Sequence, residues 1–245
     1  MERRAGILLE PARPFEFTRQ GDLLGWHRQT NGNYFLGLFV ENGRIKDADG
    51  YRLKSGLRQA IEKYKPEVRL TASQNILLVD VKPEQRDGIT GILEEHGVSV
   101  ENPFSPIRLA SMACPALPTC GLSLAESERA LPGILTRLEN LLTEVGVPKE
   151  EIVVRMTGCP NGCARPYMAE IGFVGKAPGK YQLYLGGNEG STRLNRVYKD
   201  MVKNEEIEAE LRPLLTRFVA ERKPNERFGD FCDRAILPAA TSALQ

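Results

Sequence analysis

Residues 152–166, IVVRMTGCPNGCARP, join a short apolar run to a loop that carries two cysteines. The apolar run at 152–156 predicts a β-strand, and the chain reaches Cys159 and Cys163 soon after it. Gly162 lets the backbone of this loop approach a bulky group, because glycine has no side chain. Backbone N–H groups in such a loop can donate hydrogen bonds to sulfur. The stretch therefore predicts a strand that leads into a ligand-binding loop.

A second cysteine pair lies upstream of this loop. Five residues separate Cys114 from Cys120, and three separate Cys159 from Cys163. Each pair can present two thiolates to one inorganic core, and four thiolates suit a [4Fe–4S] cluster. Cys232 lies far from both pairs in the sequence, so we interpret it as a structural residue.

Three other interpretations of the cysteines compete with a cluster. Structural zinc is bound by pairs separated by about two to four residues, so the first pair fits it poorly. Buried cysteines without a ligand are common, but this does not explain why both pairs lie in segments rich in proline or glycine. Redox-active dithiols form Cys-x-x-Cys motifs, and neither pair has that spacing. We expect an iron–sulfur cluster and keep zinc as the alternative.

The composition argues against several classes of protein. The chain has 245 residues with 33 basic and 32 acidic side chains, so nothing indicates a nucleic-acid-binding protein. Its longest apolar runs, such as the one at 76–79, are far too short to span a bilayer. The first residues lack a sustained apolar segment, so no signal peptide is predicted. The odd count of five cysteines argues against a disulfide framework and favours the reducing cytoplasm.

The pattern of apolar residues before residue 103 predicts a ferredoxin-like half-domain. The predicted order is a strand at 33–40, a helix at 53–64, strands at 68–71 and 76–81, a helix at 84–96 and a short strand at 98–100. This βαββαβ order is that of the ferredoxin-like fold. The pairs Asn102-Pro103 and Ser105-Pro106 then mark a boundary.

The pattern changes after this boundary, where a second domain is predicted. Its elements are a helix at 126–145, strands at 152–156, 168–174 and 181–185, and a helix at 207–222. We therefore predict an α+β protein with an extended segment at 1–26, a ferredoxin-like βαββαβ half-domain at 27–103 and an α/β cluster-binding domain at 104–245.

Both cysteine motifs resemble those of the sirohaem-dependent sulfite reductase haemoproteins, in their C-terminal half. SMACPALPTC at 111–120 is similar to the first cluster motif of that family, and TGCPNGCARP at 157–166 is similar to the second. Further similar stretches are AEIGFVGKAPG at 169–179, LGGN at 185–188 and FGDF at 228–231, and the likeness extends over residues 3–234. The sirohaem nitrite reductases share the cysteine spacing. The residues around the second pair look more like those of assimilatory sulfite reductases.

The resemblance implies two cofactors, a [4Fe–4S] cluster and a sirohaem, joined through one shared thiolate. In the family this ligand is the last cysteine of the second motif, which is Cys163 here. Cys114, Cys120 and Cys159 would then bind only the cluster. A shared sulfur couples the two metal centres, so electrons that arrive singly can reach the haem iron. The implied reaction is the six-electron reduction of sulfite to sulfide at the open position of that iron. Cys163 would then be a ligand of the catalytic centre. The resemblance also places the sirohaem in the domain at 104–245.

Several polar residues could contact these cofactors. Thr157 and Asn161 flank the ligands and could hydrogen-bond cluster sulfur or a sirohaem carboxylate, but capping of the loop is an equally simple role. Arg165 could pair with a carboxylate of the macrocycle. Gln74 and Asn75 lie in a polar link between two predicted strands. That region faces the cofactor in the family, although polar hairpin residues need no function.

Family members contain two related halves, and this chain resembles only the second. The arginines and lysines that neutralise the anionic substrate belong to the first half, so we expect the chain to need that N-terminal half from elsewhere. The other expected partners are sulfite and an electron-donor protein, either a flavoprotein reductase subunit or a ferredoxin. NADPH oxidation must occur elsewhere, because no G-x-G-x-x-G motif opens a helix. A standalone iron–sulfur electron-transfer module and a nitrite reductase relative remain alternatives.

Overall fold

The structure is a computed structural model of the chain, and it describes residues 6, 10, 11, 13, 14 and 21–237. The extended segment predicted at 1–26 therefore lies mostly outside the described residues. One large cluster of buried apolar side chains spans residues 36–98, and another spans residues 107–237. The chain thus folds around two cores that follow one another in the sequence. None of the helices in the described part is long and apolar enough to cross a membrane.

A four-stranded antiparallel sheet and two helices form the first core. The strands are β1 Gly25–Arg28, β2 Tyr34–Leu38, the small hairpin β3 Asp47–Ala48 and β4 Tyr51–Arg52, β5 Glu67–Leu70 and β6 Ile76–Val81, and the helices are α1 Leu53–Tyr64 and α2 Arg86–Glu95. The sheet order is β1-β2-β6-β5, while β3 and β4 pair separately. Leu57 of α1 and Leu93 of α2 pack in one buried cluster with Leu36 and Leu78 of the sheet.

The strand predicted at 98–100 is wrong, because another segment fills its place. The backbone N–H of Val98 donates to the carbonyl of Leu93 at 2.9 Å, so this residue ends α2 and does not start a strand. Residues 29–33 instead form a tight turn that folds β1 back on β2 as an antiparallel pair. β1 therefore covers the edge of β2 that the last strand of a ferredoxin-like fold would cover.

A five-stranded mixed sheet and two long helices form the second core. The short helices are α3 Pro106–Leu109 and α6 Phe228–Phe231, and the long ones are α4 Leu131–Glu144 and α5 Ile207–Glu221. A π-helical turn at Cys232–Ile236 continues α6. The strands are β7 Met112–Ala113, β8 Val154–Thr157, β9 Ile171–Ala177, β10 Lys180–Leu185 and β11 Arg196–Lys203. Their order is β11-β10-β9-β8-β7, in which β7, β8 and β9 run parallel and the rest antiparallel. Leu138 of α4 and Leu211 of α5 pack in the same cluster as Phe173 of β9.

Two details of the second domain differ from the sequence-based prediction. The helix predicted from residue 126 begins at Leu131, because the chain turns before it and the hydroxyl of Ser127 donates to the carbonyl of Met156 at 2.6 Å. Strand β11 is absent from the prediction. Its sequence RVYKDMVK is mostly exposed and rich in charge, as is common for an edge strand, so it lacks the apolar pattern of a core strand.

The two cores meet through polar contacts near β7. Arg44 of the first core donates from Nε to a carboxylate oxygen of Glu128 at 2.7 Å. Arg108 of α3, whose side chain is only 12% exposed, pairs with Glu41 at 2.5 Å and with Glu139 at 2.7 Å. Partly buried ion pairs of this kind require a defined geometry. They fix the half-domain against the segment that leads into the first cysteine loop.

Candidate metal-binding site

The two cysteine loops begin at neighbouring parallel strands and therefore lie side by side. In the register of β7 and β8, Ala113 lies opposite Met156, and the N–H of Cys114 donates to the carbonyl of Met156 at 3.2 Å. Cys114 directly follows β7, and Cys159 follows shortly after the end of β8. Ligand sites in sheets with parallel strands commonly lie beyond the carboxyl ends of those strands. The structure thus brings together two motifs that are far apart in the sequence.

A hydrogen bond joins the two loops directly. The backbone N–H of Gly158 donates to the Sγ atom of Cys114, with 3.3 Å between nitrogen and sulfur. The carbonyl of Gly158 accepts from the N–H of Leu124 at 2.8 Å and from that of Ala125 at 3.0 Å, both just beyond the first pair. An N–H group directed at a thiolate stabilises its negative charge. Gly158 therefore connects the two loops through both of its backbone polar groups.

The four motif cysteines differ in exposure. Cys114 and Cys159 are each 8% exposed, Cys120 is partly buried and Cys163 is exposed. Within the described residues, no three His, Cys, Asp or Glu side chains are grouped closely enough to hold one metal ion. A single tetrahedral ion binds sulfur at about 2.3 Å, whereas a cubane has four metal corners and holds its thiolates further apart. The absence of such a close group among the described residues therefore concerns a site for a single ion and not a site for a cubane.

Two arginines beside the second loop have no carboxylate partner among the residues that the structure describes. Nη1 of Arg155 donates to the carbonyl of Arg165 at 3.4 Å, and Nε of Arg155 is buried without a hydrogen-bond partner. Burial and then the charge of Arg165 lower the pKa of Arg155 to about 10. Nη2 of Arg165 donates to the carbonyl of Ala72 at 2.7 Å. Two neighbouring cations without a counter-charge favour an anionic ligand at this place.

Comparison with known proteins leads to one family. Residues 27–96 match the family model described as the nitrite/sulfite reductase ferredoxin-like half domain. Over 234 residues, the chain is 49% identical to the sulfite reductase (ferredoxin) of Synechococcus elongatus. It is 47% identical over 234 residues to the sulfite reductase (NADPH) hemoprotein beta-component of Staphylococcus epidermidis. Over nearly its whole length the chain therefore resembles one part of the sulfite reductases. The resemblance drawn from the two cysteine motifs is therefore confirmed.

The chain corresponds to only part of each of these relatives. The two alignments each cover 96% of this chain but 38% of the Synechococcus protein and 41% of the Staphylococcus protein. The chain therefore spans about two fifths of the length of the curated relatives that it matches. The relative named for ferredoxin and the relative named for NADPH are almost equally similar, so sequence identity does not select between the two donors.

Two solved structures resemble the fold of this chain. NirA from Mycobacterium tuberculosis superposes with a TM-score of 0.74 at 25% identity, covering 93% of this chain and 43% of that one. Dissimilatory sulfite reductase I superposes with a TM-score of 0.57 at 10% identity, covering 85% of this chain and 68% of that one. At such low identity the second likeness concerns the fold alone. The predicted α+β class with a ferredoxin-like half-domain is confirmed.

The two polar residues that flank the cysteines lie in different surroundings. Thr157 is buried, and its hydroxyl donates to the carbonyl of Cys159 at 3.1 Å, so it caps the loop, the simpler of its two predicted roles. Asn161 is exposed, and its side chain makes no hydrogen bond to any residue that the structure describes. Contact between Asn161 and a cofactor stays a prediction.

The amide side chains of Gln74 and Asn75 are bound by protein groups. Nε2 of Gln74 donates to the carbonyl of Ala113 at 2.8 Å. The side chain of Asn75, a residue only 4% exposed, accepts from the N–H of Val40 at 3.0 Å and donates to Asp22 at 2.8 Å. Amides with these partners hold the hairpin loop in place. Contact between either side chain and a cofactor stays a prediction.

Tyr167, which belongs to neither cysteine motif, supports the second loop. Its hydroxyl donates to the carbonyl of Pro160 at 3.0 Å. Its ring lies so close to Gly162 that a Cβ atom there would be 3.0 Å from it, and Gly162 has a φ of +69°. The absence of a side chain at Gly162 therefore serves packing against Tyr167 as well as backbone conformation. The feature of the sequence that could have identified Tyr167 is its position shortly after the second cysteine pair.

Glu170 is a second residue outside the cysteine motifs that organises this region. It is completely buried and accepts from the N–H of Val153 and the N–H of Gly229, both at 2.9 Å. Burial raises the pKa of Glu170, and the neighbouring charge of Arg227 acts in the opposite direction. The feature of the sequence that could have identified Glu170 is its position directly before the apolar residues of β9.

Replacing Gly158 by alanine should disrupt the contact between the loops. An added Cβ atom would lie 1.9 Å from Oγ of Ser123 and 2.5 Å from the carbonyl oxygen of Ala125. Overpacking of this kind costs roughly 1–3 kcal/mol. We expect Gly158→Ala to lower the free energy of unfolding by at least that much in urea denaturation. Gly121→Ala is the matched control, because a Cβ atom there meets nothing within 4 Å; equal stability of the two variants would contradict the packing described.

Proposed function

We propose that this chain supplies the cluster- and sirohaem-binding part of an assimilatory sulfite reductase, which reduces sulfite to sulfide. The observation that carries the proposal is the convergence of the two cysteine loops at the carboxyl ends of β7 and β8. The curated relatives named above are sulfite reductases, which favours sulfite over nitrite as the substrate.

The residues of the loops suit a [4Fe–4S] cluster. Its ligands would be Cys114, Cys120, Cys159 and Cys163, a set of soft thiolates from two segments. The N–H of Gly158 already points at one of these sulfurs, at 3.3 Å. When bound, the cluster and the sirohaem would supply the single-electron transfers that sulfite reduction requires. The chain's own residues would hold both groups in a fixed relation.

The surroundings of Cys163 suit a macrocycle with carboxylate groups. Cys163 is exposed, whereas Cys120 is partly buried and Cys114 and Cys159 are buried, so Cys163 is the most accessible of the four to a second group. Arg165 follows Cys163 by two residues, and its carbonyl accepts from Arg155. Neither arginine has an acidic partner among the described residues, and Nε of Arg155 has no hydrogen-bond partner. We infer that these arginines would pair with the carboxylates and that Cys163 would be the shared ligand.

The substrate and donor would be bound in part by residues outside this sequence. A dianion needs positive charge close to the reacting centre, and the relatives are more than twice as long as this chain. We propose that the N-terminal half of the enzyme supplies that charge. The electron donor would be a flavoprotein reductase subunit or a ferredoxin, and the setting would be the cytoplasm.

Anaerobic reconstitution with ferrous iron, sulfide and sirohaem tests the proposal. We expect about four cluster irons per chain with acid-labile sulfide, and EPR signals of the cluster that change when sirohaem is also bound. A chain that binds one zinc ion, or iron without acid-labile sulfide, would overturn the proposal. The enzyme isolated with all of its polypeptides should then reduce sulfite faster than nitrite with a chemically reduced viologen.

A further inference from the structure

Gln74 reaches from the half-domain to the strand that ends at the first cysteine loop. Its Nε2 donates to the carbonyl of Ala113 at 2.8 Å, and the N–H of Ala113 donates to its Oε1 at 3.3 Å. One carboxamide thus binds both polar groups of a single peptide residue. Gln74 has a φ of +67°, a left-handed conformation that is uncommon for a residue other than glycine. Such conformations persist where the surrounding structure holds them.

The carboxamide takes the place of a missing neighbouring strand. β7 is the edge strand of the second sheet, so one side of it has no strand partner among the described elements. In a parallel ladder, successive residues direct their polar groups to opposite sides. Cys114 directs its N–H to β8, whereas Ala113 directs its N–H and carbonyl away from β8 toward Gln74. Since a buried peptide needs partners for both groups, Gln74 completes the edge of the sheet.

Cys114, the residue after Ala113, is held at each of its polar atoms. Its N–H donates to Met156, its carbonyl accepts from the N–H of Glu128 at 3.1 Å, and its sulfur accepts from Gly158. Because Ala113 and Cys114 are adjacent, the position of Ala113 sets the position from which the thiol reaches Gly158. Gln74 therefore acts on the sulfur through one peptide unit.

Hydrogen bonds stabilise the loop that carries Gln74, and the loop also contacts the second cysteine motif. The hydroxyl of Thr71 donates to Asp22 at 2.5 Å and accepts from the N–H of Asn75 at 3.1 Å. The carbonyl of Ala72 accepts from Arg165 at 2.7 Å. This single hairpin loop, residues 71–75, therefore touches the strand of the first motif and an arginine of the second.

We propose that Gln74 is a positioning residue that sets the geometry of Cys114 and thereby the reduction potential of the bound cluster. The proposal rests on the proposed function, since it requires that Cys114 be a cluster ligand. Hydrogen bonds to ligand sulfur stabilise the more negative, reduced cluster and raise its potential. Without Gln74, the edge of β7 loses both partners and the N–H···S bond from Gly158 weakens, so the potential should fall.

Two variants separate the effect of the side-chain amide of Gln74 from the effect of its backbone conformation. Gln74→Met keeps the length of the side chain and removes both polar groups. Gln74→Gly also removes them but suits the left-handed conformation, so it remains usable if the methionine variant folds poorly. Gln59→Met is the matched control, because Gln59 is exposed on α1 and makes no hydrogen bond with its side chain in the described part of the chain.

The first measurement needs no cofactor. Amide hydrogen exchange should show the N–H of Ala113 exchanging about tenfold faster in both Gln74 variants than in the wild type or in Gln59→Met. The second measurement is an EPR-monitored potential titration of the reconstituted chain. We expect the reduced-to-oxidised ratio of the Gln74 variants at a fixed potential to fall about tenfold, a shift of about 59 mV for a one-electron couple.

The outcomes distinguish this proposal from the proposed function. If the wild type takes up no cluster, the proposed function fails, and the positioning role fails with it. If the wild type takes up a cluster and the Gln74 variants have its potential, the positioning role alone is overturned. Unchanged exchange at Ala113 would refute the edge-completing contact even without any cluster. A lower potential together with faster exchange, both absent from Gln59→Met, supports the role.

Discussion

Replacing Cys159 by serine should reduce the iron content of the reconstituted chain from about four atoms to a small fraction of that. A serine hydroxyl is a harder ligand than a thiolate and stays protonated near neutral pH, so it replaces the sulfur poorly. Cys159 also lies where the second loop leaves β8, next to the glycine that binds Cys114. Loss of this ligand should therefore also weaken the hold of the first loop on the cluster. Iron and acid-labile sulfide analysis, with the visible spectrum, measures the effect.

Cys232→Ala is the control for this experiment. Cys232 is completely buried in the second core, and burial raises the pKa of its thiol, so it is a poor candidate for a metal ligand. The variant should retain the iron content of the wild type. Loss of iron from Cys232→Ala, or retention of a full cluster by Cys159→Ser, would show that the four ligands are wrongly assigned.

The helices and central strands could be predicted because their apolar residues repeat at regular spacing. Leu53, Leu57 and Ala60 lie on the buried face of α1, as the helical period requires. The edge strands could not be predicted in this way. β1 and β11 are largely exposed or half-buried, so their sequences carry no strong apolar pattern, and tertiary pairing decides their conformation. The predicted strand at 98–100 failed for the same reason, since its place depended on pairing and not on local sequence.

The cysteine loops could be predicted because their chemistry is local, whereas their supporting contacts are not. The spacing of each cysteine pair and its glycine or proline residues are visible in a short segment. The carboxamide of Gln74 binds Ala113 across the boundary between the two cores, 39 positions away in the chain. No sequence pattern in either segment predicts that contact. The same holds for Glu170, which binds backbone groups of Val153 and Gly229.

Replacing Glu170 by alanine should lower the free energy of unfolding by about 3–5 kcal/mol, the usual effect of breaking a buried ion pair. The side chain is completely buried and accepts from Val153, from Gly229 and from Nη2 of Arg227, each at 2.9 Å. Its removal leaves two buried N–H groups without their acceptor and deprives the guanidinium of Arg227 of its buried carboxylate. Since small domains have a total stability of about 5–15 kcal/mol, the loss should be evident in urea denaturation.

Glu151→Ala is the matched control, because Glu151 pairs with the same arginine from the surface. Its carboxylate lies 3.5 Å from Nη1 of Arg227 and is 48% exposed. An exposed pair contributes about 0–1 kcal/mol, so this variant should be nearly as stable as the wild type. A Glu170→Ala variant as stable as Glu151→Ala would refute the structural role assigned to the buried carboxylate.

The position of Glu170 also separates its effect from that of the cysteines. It binds Val153, just before the start of β8, whereas the cysteine loops lie beyond the opposite end of that strand. Its loss should therefore loosen the link between β8 and the helical segment that follows Arg227, while leaving the hydrogen bond from Gly158 to Cys114 in place. At a temperature where Glu170→Ala is still folded, its reconstituted cluster should have the EPR spectrum of the wild type. A changed spectrum would mean that the two ends of β8 are coupled, since the ligands themselves are intact.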